Sequence, residues 1–178
     1  MKAHEVMEQS FKFEDQASRI DVFTDSDWAG DLKTRKSTSG GIAMFRGRLV
    51  KGWSSTQRHI ALSSGEAELY AMSKGLAEGI GLQSYLRDLG IEADIAVHVD
   101  SNASIGIASR RGIGKMRHIQ VKDLWMQQKL EEKVFELIKI PGSDNVSDIC
   151  TKPVDHATMH KHMHKMGFEH IVGTESEN

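Results

Sequence analysis

A single cysteine, Cys150, stands among 178 residues. That excludes an internal disulfide framework and fits a reducing compartment, so the chain is expected to be intracellular and not secreted. Nothing around Cys150 marks a nucleophile, and a buried or half-buried thiol is expected. No apolar run is long enough to span a bilayer, and the acidic, polar N-terminus is not a signal peptide, so no membrane partner is expected. No polymerase signature is present. Acids are missing altogether from Leu32 to Ile60, where Lys33, Arg35, Lys36, Arg46, Arg48, Lys51 and Arg58 stand. The preceding stretch from Met1 to Asp31 is the reverse, with eight acids and three bases. A second basic block holds Arg110, Arg111, Lys115, Arg117 and Lys122. The net charge of −2 therefore hides a strong asymmetry. Basic surface beside an acidic pocket suits a polyanion, although a merely solvated basic face has the same composition.

Hydrophobic content of 39% and charged content of 27% are ordinary for a globular protein, and the length suffices for one compact domain with a real core. Residues 1 to about 18 show weak periodicity and read as a leader or the end of an upstream segment. Strands are expected over 20–28, 38–45 and 48–55, the last two joined tightly around Arg46-Gly47 as parts of a three-stranded meander. Residues 63–89 carry Leu69, Met72, Leu76 and Ile80, then Leu82, Leu86 and Leu89, a helical pattern. Ser63 or Ser64 can cap this helix, Glu66 and Glu68 suit its first turn, and Gly90 suits its stop. Gly75, Gly79 and Gly81 weaken it and mark a kink or close packing. A short strand over 94–100 and a brief helix over 102–108 follow. A glycine-rich basic loop, Ser109–Lys115, leads to a helix from about His118 to Glu131 and a strand from Val134 to Ile140. Short helices close the chain, and the tail Gly173–Asn178 reads as disordered. The element order implies a mixed α/β sheet with helices on its faces.

Four carboxylates stand in four separate contexts. Asp25 ends the apolar run from Ile20, Glu68 lies early in the long helix, Asp100 ends the run from Ile95, and Asp148 follows the last strand. Such acids can meet at one edge of a sheet. Carboxylates without matching bases repel one another, so a cluster of them serves to hold divalent cations. Metal-assisted phosphodiester cleavage is the leading reading. Asp27 shares the strand face of Asp25, so the residues alone leave either as the first metal ligand, and Glu66 points well around the helix from Glu68. Asp21 suits a surface or edge position, and Asp31 a turn.

The chain resembles ribonuclease H as found at the end of copia-type retrotransposon polyproteins. The matching stretches are Thr24-Asp25-Ser26-Asp27-Trp28-Ala29-Gly30-Asp31, Arg35-Lys36-Ser37-Thr38-Ser39-Gly40-Gly41, Trp53-Ser54-Ser55-Thr56-Gln57 and Ala61-Leu62-Ser63-Ser64-Gly65-Glu66-Ala67-Glu68. Val99-Asp100-Ser101-Asn102-Ala103-Ser104-Ile105, Arg117-His118-Ile119 and Asp148-Ile149-Cys150-Thr151-Lys152-Pro153 follow in family order.

The resemblance implies a ribonuclease H-like mixed five-stranded sheet flanked by helices. The domain is expected over 19–155, with a C-terminal helix and tail over 156–178. Asp25, Glu68, Asp100 and Asp148 are the implied catalytic residues and metal ligands. They are expected to hold two Mg²⁺ ions, with Mn²⁺ as a substitute, one ion activating water and the other steadying the leaving 3′ oxygen. The implied nucleic-acid contacts are Ser26, Ser63, Ser64, Asn102, Arg117 and His118. The implied partners are an RNA–DNA hybrid and the reverse transcriptase domain of the same polyprotein.

Many ribonucleases H have a mobile histidine before the last acid; here Pro141-Gly142-Ser143-Asp144-Asn145 contains none. His98 is read as a packed or supporting residue. His156, His160 and His164 recur at helical spacing, but no thiolate or acid completes a closed zinc site, and a solvated helix face is the plainer reading. Trp28 and Trp53 are expected to pack in the core or at a sheet edge. The alternative function is a catalytically inactive nucleic-acid-binding or structural module derived from a retrotransposon; the presence of all four acids favours cleavage.

Overall fold

The computed structural model describes residues 7–10, 18–110 and 121–170. The expected leader and tail lie largely outside the described residues, as do most of the Ser109–Lys115 loop and the stretch around His118. The elements are β1 (Met7–Gln9), β2 (Arg19–Asp27), β3 (Thr38–Phe45), β4 (Arg48–Thr56), α1 (Ser64–Asp88), β5 (Asp94–Val99), α2 (Asn102–Ala108), α3 (Val121–Glu131), β6 (Glu136–Lys139), α4 (His156–Lys165) and β7 (Phe168–His170). Two 3₁₀ turns, Gly142–Asp144 and Val146–Cys150, stand between β6 and α4.

The main sheet has five strands in the order β4-β3-β2-β5-β6. β3 runs antiparallel to β2 and β4, whereas β2-β5 and β5-β6 are parallel. This is the mixed sheet flanked by helices expected from the sequence. Arg46 and Gly47 both have positive φ, 49° and 69°, as a two-residue hairpin turn that follows strand twist requires. α1 is capped by Ser63, whose hydroxyl accepts from the Glu66 amide, and the chain leaves it through Gly90 at φ 78°.

Each face of the sheet carries a core. Ile20, Val22, Ile95, Val97 and Val99 pack against Leu69, Met72 and Leu76 of α1. Phe23, Ile42 and Met44 pack on the other side with Val146 of the second 3₁₀ turn and Met166 after α4. The helix over 156–165 thus contributes to the same core as the strands. Gly75 and Gly79 are sites of close approach, not of kinking: a Cβ at Gly75 would collide with the Thr24 methyl, and one at Gly79 would lie 3.0 Å from Val22.

One feature was not read from the sequence. β1 pairs antiparallel with β7 in a separate two-stranded sheet, with Glu8 opposite Glu169. Met7–Gln9, placed in the leader, therefore runs against the C-terminal end of the fold, and the Gln9 amide donates to the Met166 and Leu49 carbonyls. Among the described residues, no helix is long and apolar enough to cross a membrane.

Candidate functional site

The site lies where β2 and β5 run out. Asp25 stands near the end of β2, paired with Gly40 across the ladder. Asp100 directly follows β5, and Asp148 sits in the second 3₁₀ turn. A Cβ at Gly40 would lie 2.8 Å from the Cys150 Cβ, so glycine lets this turn lie directly on β3. The turn is pinned from inside by Asn145, which is fully buried. Its amide donates to the Thr24 carbonyl at 3.0 Å, and its carbonyl oxygen accepts from the Ser147 hydroxyl at 2.6 Å. Asp148 is thereby tied to the strand that carries Asp25.

Asp25, Asp100 and Asp148 each offer a carboxylate oxygen, and the three oxygens lie within 4.8 Å of one another. Glu68 approaches from α1. Its Oε1 accepts from the Ser26 amide at 3.2 Å and from the Ser26 hydroxyl at 2.9 Å. Its other oxygen, Oε2, is buried with no hydrogen-bond partner. A buried carboxylate oxygen without a donor is costly unless something else binds it. Burial, reinforced by the charges of Asp25 and Asp100 and opposed by Ser26, pushes Glu68 up to about 8. Burial also raises Asp25, against the Thr151 hydroxyl that donates to it and the charge of Lys152. Asp148 is raised by burial, with Lys152 opposing. The pocket is therefore short of positive charge, and its donor set is all carboxylate oxygen, the ligand type of hard divalent cations.

The neighbouring acids go elsewhere. Glu66 is buried, with its carboxylate accepting from the Leu62 amide at 2.8 Å and from the Tyr70 hydroxyl at 2.5 Å. Asp27 folds its carboxylate over the backbone at Gly30. Asp31 accepts from Lys33 and Thr34 in its turn. Asp21 is half-buried on β2 and pairs with His98 at 2.7 Å and Arg19 at 2.8 Å. His98 packs as a supporting residue and stacks on Phe23 with 4.4 Å between ring centroids.

The starts of α1 and α2, which carry the expected nucleic-acid contacts Ser64 and Asn102, lie against each other, with Ala103 packed on Gly65. The Ser26 hydroxyl is turned to Glu68 and the Ser63 hydroxyl to the Glu66 amide. Ser64 and Asn102 are exposed at the starts of α1 and α2. Arg117 and His118 lie outside the described residues. Trp28 is not a core residue: it is 50% exposed, its indole donating to the Ala61 carbonyl. Trp53 is partly buried, its ring lying where Gly41 would carry a Cβ.

Lys152 escaped the sequence reading. Its ammonium lies 3.0 Å from Asp148 Oδ1 and 3.9 Å from Asp25 Oδ2. The Asp148 contact is a charge contact off the line of a directed hydrogen bond. Burial works against the Lys152 charge, but Asp148, Asp25 and Asp100 outweigh it and hold its pKa above the ordinary value. The signal was present as a base four residues after the last acid.

No protein-family model matches the chain. The Pol polyprotein of the retrovirus-related transposon TNT 1-94 from Nicotiana tabacum is 31% identical over 134 residues, covering 74% of this chain and 10% of that protein. The Pol polyprotein of transposon RE2 from Arabidopsis thaliana is 26% identical over 152 residues, covering 83% of this chain and 10% of that protein. The chain thus spans about a tenth of the length of these curated relatives. Among solved structures, LC11-RNase H1, isolated from compost by a metagenomic approach, matches with a TM-score of 0.59 at 17% identity, covering 75% of this chain and 93% of that one. The same ribonuclease in complex with an RNA/DNA hybrid matches with a TM-score of 0.50 at 16% identity, covering 75% of this chain and 94% of that one. Homology places the chain among the retrovirus-related Pol polyproteins of transposons, as a segment with the ribonuclease H fold.

Proposed function

We propose that the chain is a metal-dependent endonuclease of the copia type that cleaves the RNA strand of RNA–DNA hybrids during reverse transcription. The observation that carries this is the meeting of Asp25, Asp100 and Asp148 within 4.8 Å, beside the unpartnered Oε2 of buried Glu68. These four side chains are the proposed ligands for two Mg²⁺ ions, or Mn²⁺ in their place. Bound divalent cations supply the charge that lets water attack a phosphodiester at neutral pH and lets its 3′ oxygen leave. The chain's own part is to hold the four carboxylates in place through Ser26, Thr151 and the Asn145 turn.

A cleft of about 530 Å³ includes Ser55, Thr56, Gln57, Arg58, Lys74 and Trp125 among its lining residues. Hydroxyl groups beside cations suit the 2′-hydroxyls and phosphates of a hybrid better than the edges of a DNA duplex. Ser26, Ser63, Ser64, Asn102, Arg117 and His118 are the proposed contacts. The reverse transcriptase of a longer polyprotein is the proposed partner that holds the same hybrid and raises its local concentration.

A labelled hybrid incubated with Mg²⁺, Mn²⁺ or EDTA, beside an Asp100→Asn control, tests the reading. Cleavage of the RNA strand with either ion, absent in EDTA and in the variant, is expected. Hybrid binding without cleavage under all conditions would refute it in favour of an inactive binding module.

A further inference from the structure

Lys152 is held at the pocket by its backbone. The amides of Thr151 and Lys152 both donate to the Asp148 carbonyl, at 3.1 and 3.0 Å. Pro153 follows and restricts the Lys152 backbone away from the helical region. The side chain itself is 50% exposed and not locked by packing. Its carboxylate partners are Asp148 and Asp25, two of the three acids that converge at the strand ends. An ammonium group and a divalent cation therefore compete for the same oxygens. A magnesium ion needs them at about 2.0–2.1 Å, which leaves no room for an amine seated between them.

We propose that Lys152 is a resident counter-ion of the acid pocket, which neutralises Asp148 and Asp25 while no divalent cation is bound and is displaced when one enters. The inference rests on the metal-dependent reading above and deepens it: cation binding and release of the lysine are one coupled event. The lysine offers one charge to Asp148, Asp25 and Asp100, so it relieves their repulsion only in part, and the doubly charged ion wins at sufficient concentration. Cation affinity is correspondingly weaker than four carboxylates alone would confer.

The test is Mn²⁺ titration by calorimetry on the nucleic-acid-free protein, for the wild type, Lys152→Met, Lys152→Gln and Lys129→Met. Lys129, on α3, pairs with Glu132 just beyond that helix and controls for loss of a positive charge elsewhere. Both Lys152 variants are expected to bind Mn²⁺ about tenfold more tightly, a modest figure because the amine is half exposed and its field is screened. Lys129→Met should match the wild type. In EDTA the Lys152 variants should melt below the wild type, and saturating Mn²⁺ should erase that deficit. In the wild type, the Lys152 side-chain nitrogen resonance should move to the position of a solvated lysine on adding Mg²⁺. Unchanged Mn²⁺ affinity in the variants, or an unmoved Lys152 resonance in a protein that binds Mg²⁺, overturns the proposal. If only the variants bind metal, the lysine blocks the pocket outright and is not displaced, so the proposal and the metal-dependent reading of the wild type both fall. If no form binds metal, both fall.

Discussion

Glu68 should make the metal-free protein less stable as pH rises. Its carboxyl is pushed up to about 8 in the folded protein against 4.5 when unperturbed. Below pH 4.5 both states hold the proton and no stability is lost. Between 4.5 and about 8 the unfolded chain releases it while the folded chain keeps it, so stability falls across this window and levels off above it. At 1.36 kcal/mol per pH unit the loss amounts to about 5 kcal/mol, an upper limit for a carboxylate that shares its field with three others. Asp25 and Asp148 are raised too and act in the same direction. Glu68→Gln removes the titrating group while keeping its shape and an acceptor for Ser26. In EDTA, urea unfolding at pH 5, 6.5 and 8.5 should therefore show the variant gaining on the wild type with rising pH. In 10 mM Mg²⁺ the wild type should recover, because a bound cation favours the ionised pocket and binds only the folded arrangement. Parallel stability curves for the two proteins in EDTA across this range would refute the assignment of Glu68 to a repulsive cluster.

Gly40→Ala should cost about 1–3 kcal/mol by forcing the Val146–Cys150 turn off β3, and should lower hybrid cleavage through Asp148; urea unfolding and the cleavage assay read both. Asn145→Ala should cost about 2–4 kcal/mol in urea unfolding, because it strands the buried Thr24 carbonyl and frees the same turn. Lys51→Ala should change stability by about 1 kcal/mol or less despite its 2.6 Å contact with Glu78, since the lysine is 54% exposed.

Most of the main sheet and its helices were legible because their burial repeats locally. α1 was expected over 63–89 and is found over 64–88, since its apolar residues recur at helical spacing and Ser63 and Gly90 bound it. The hairpin at Arg46-Gly47 carried its own turn signal. The β1–β7 ladder was not legible. Each strand is three residues long, and their pairing depends on bringing the two ends of the described chain together. Trp28, expected in the core or at a sheet edge, is 50% exposed: it lies just beyond the end of β2, and its indole donates to the Ala61 loop carbonyl.

The sequence by itself determined the fold class and nominated the four carboxylates, because strand ends, helix starts and turn residues are written in local pattern. Only the tertiary structure showed what holds Glu66 and Glu68 apart in role. Both sit in the first turns of α1, but Glu66 is held by Leu62 and Tyr70, while Glu68 meets Ser26 at the end of a strand 42 residues away. Only the tertiary structure set the Ser26 hydroxyl on Glu68, and only it set Lys152 against Asp25 across 127 residues of chain. The physical reason is the same in each case. A carboxylate's role follows from the charges and donors around it in space, and those come from segments that no local pattern connects.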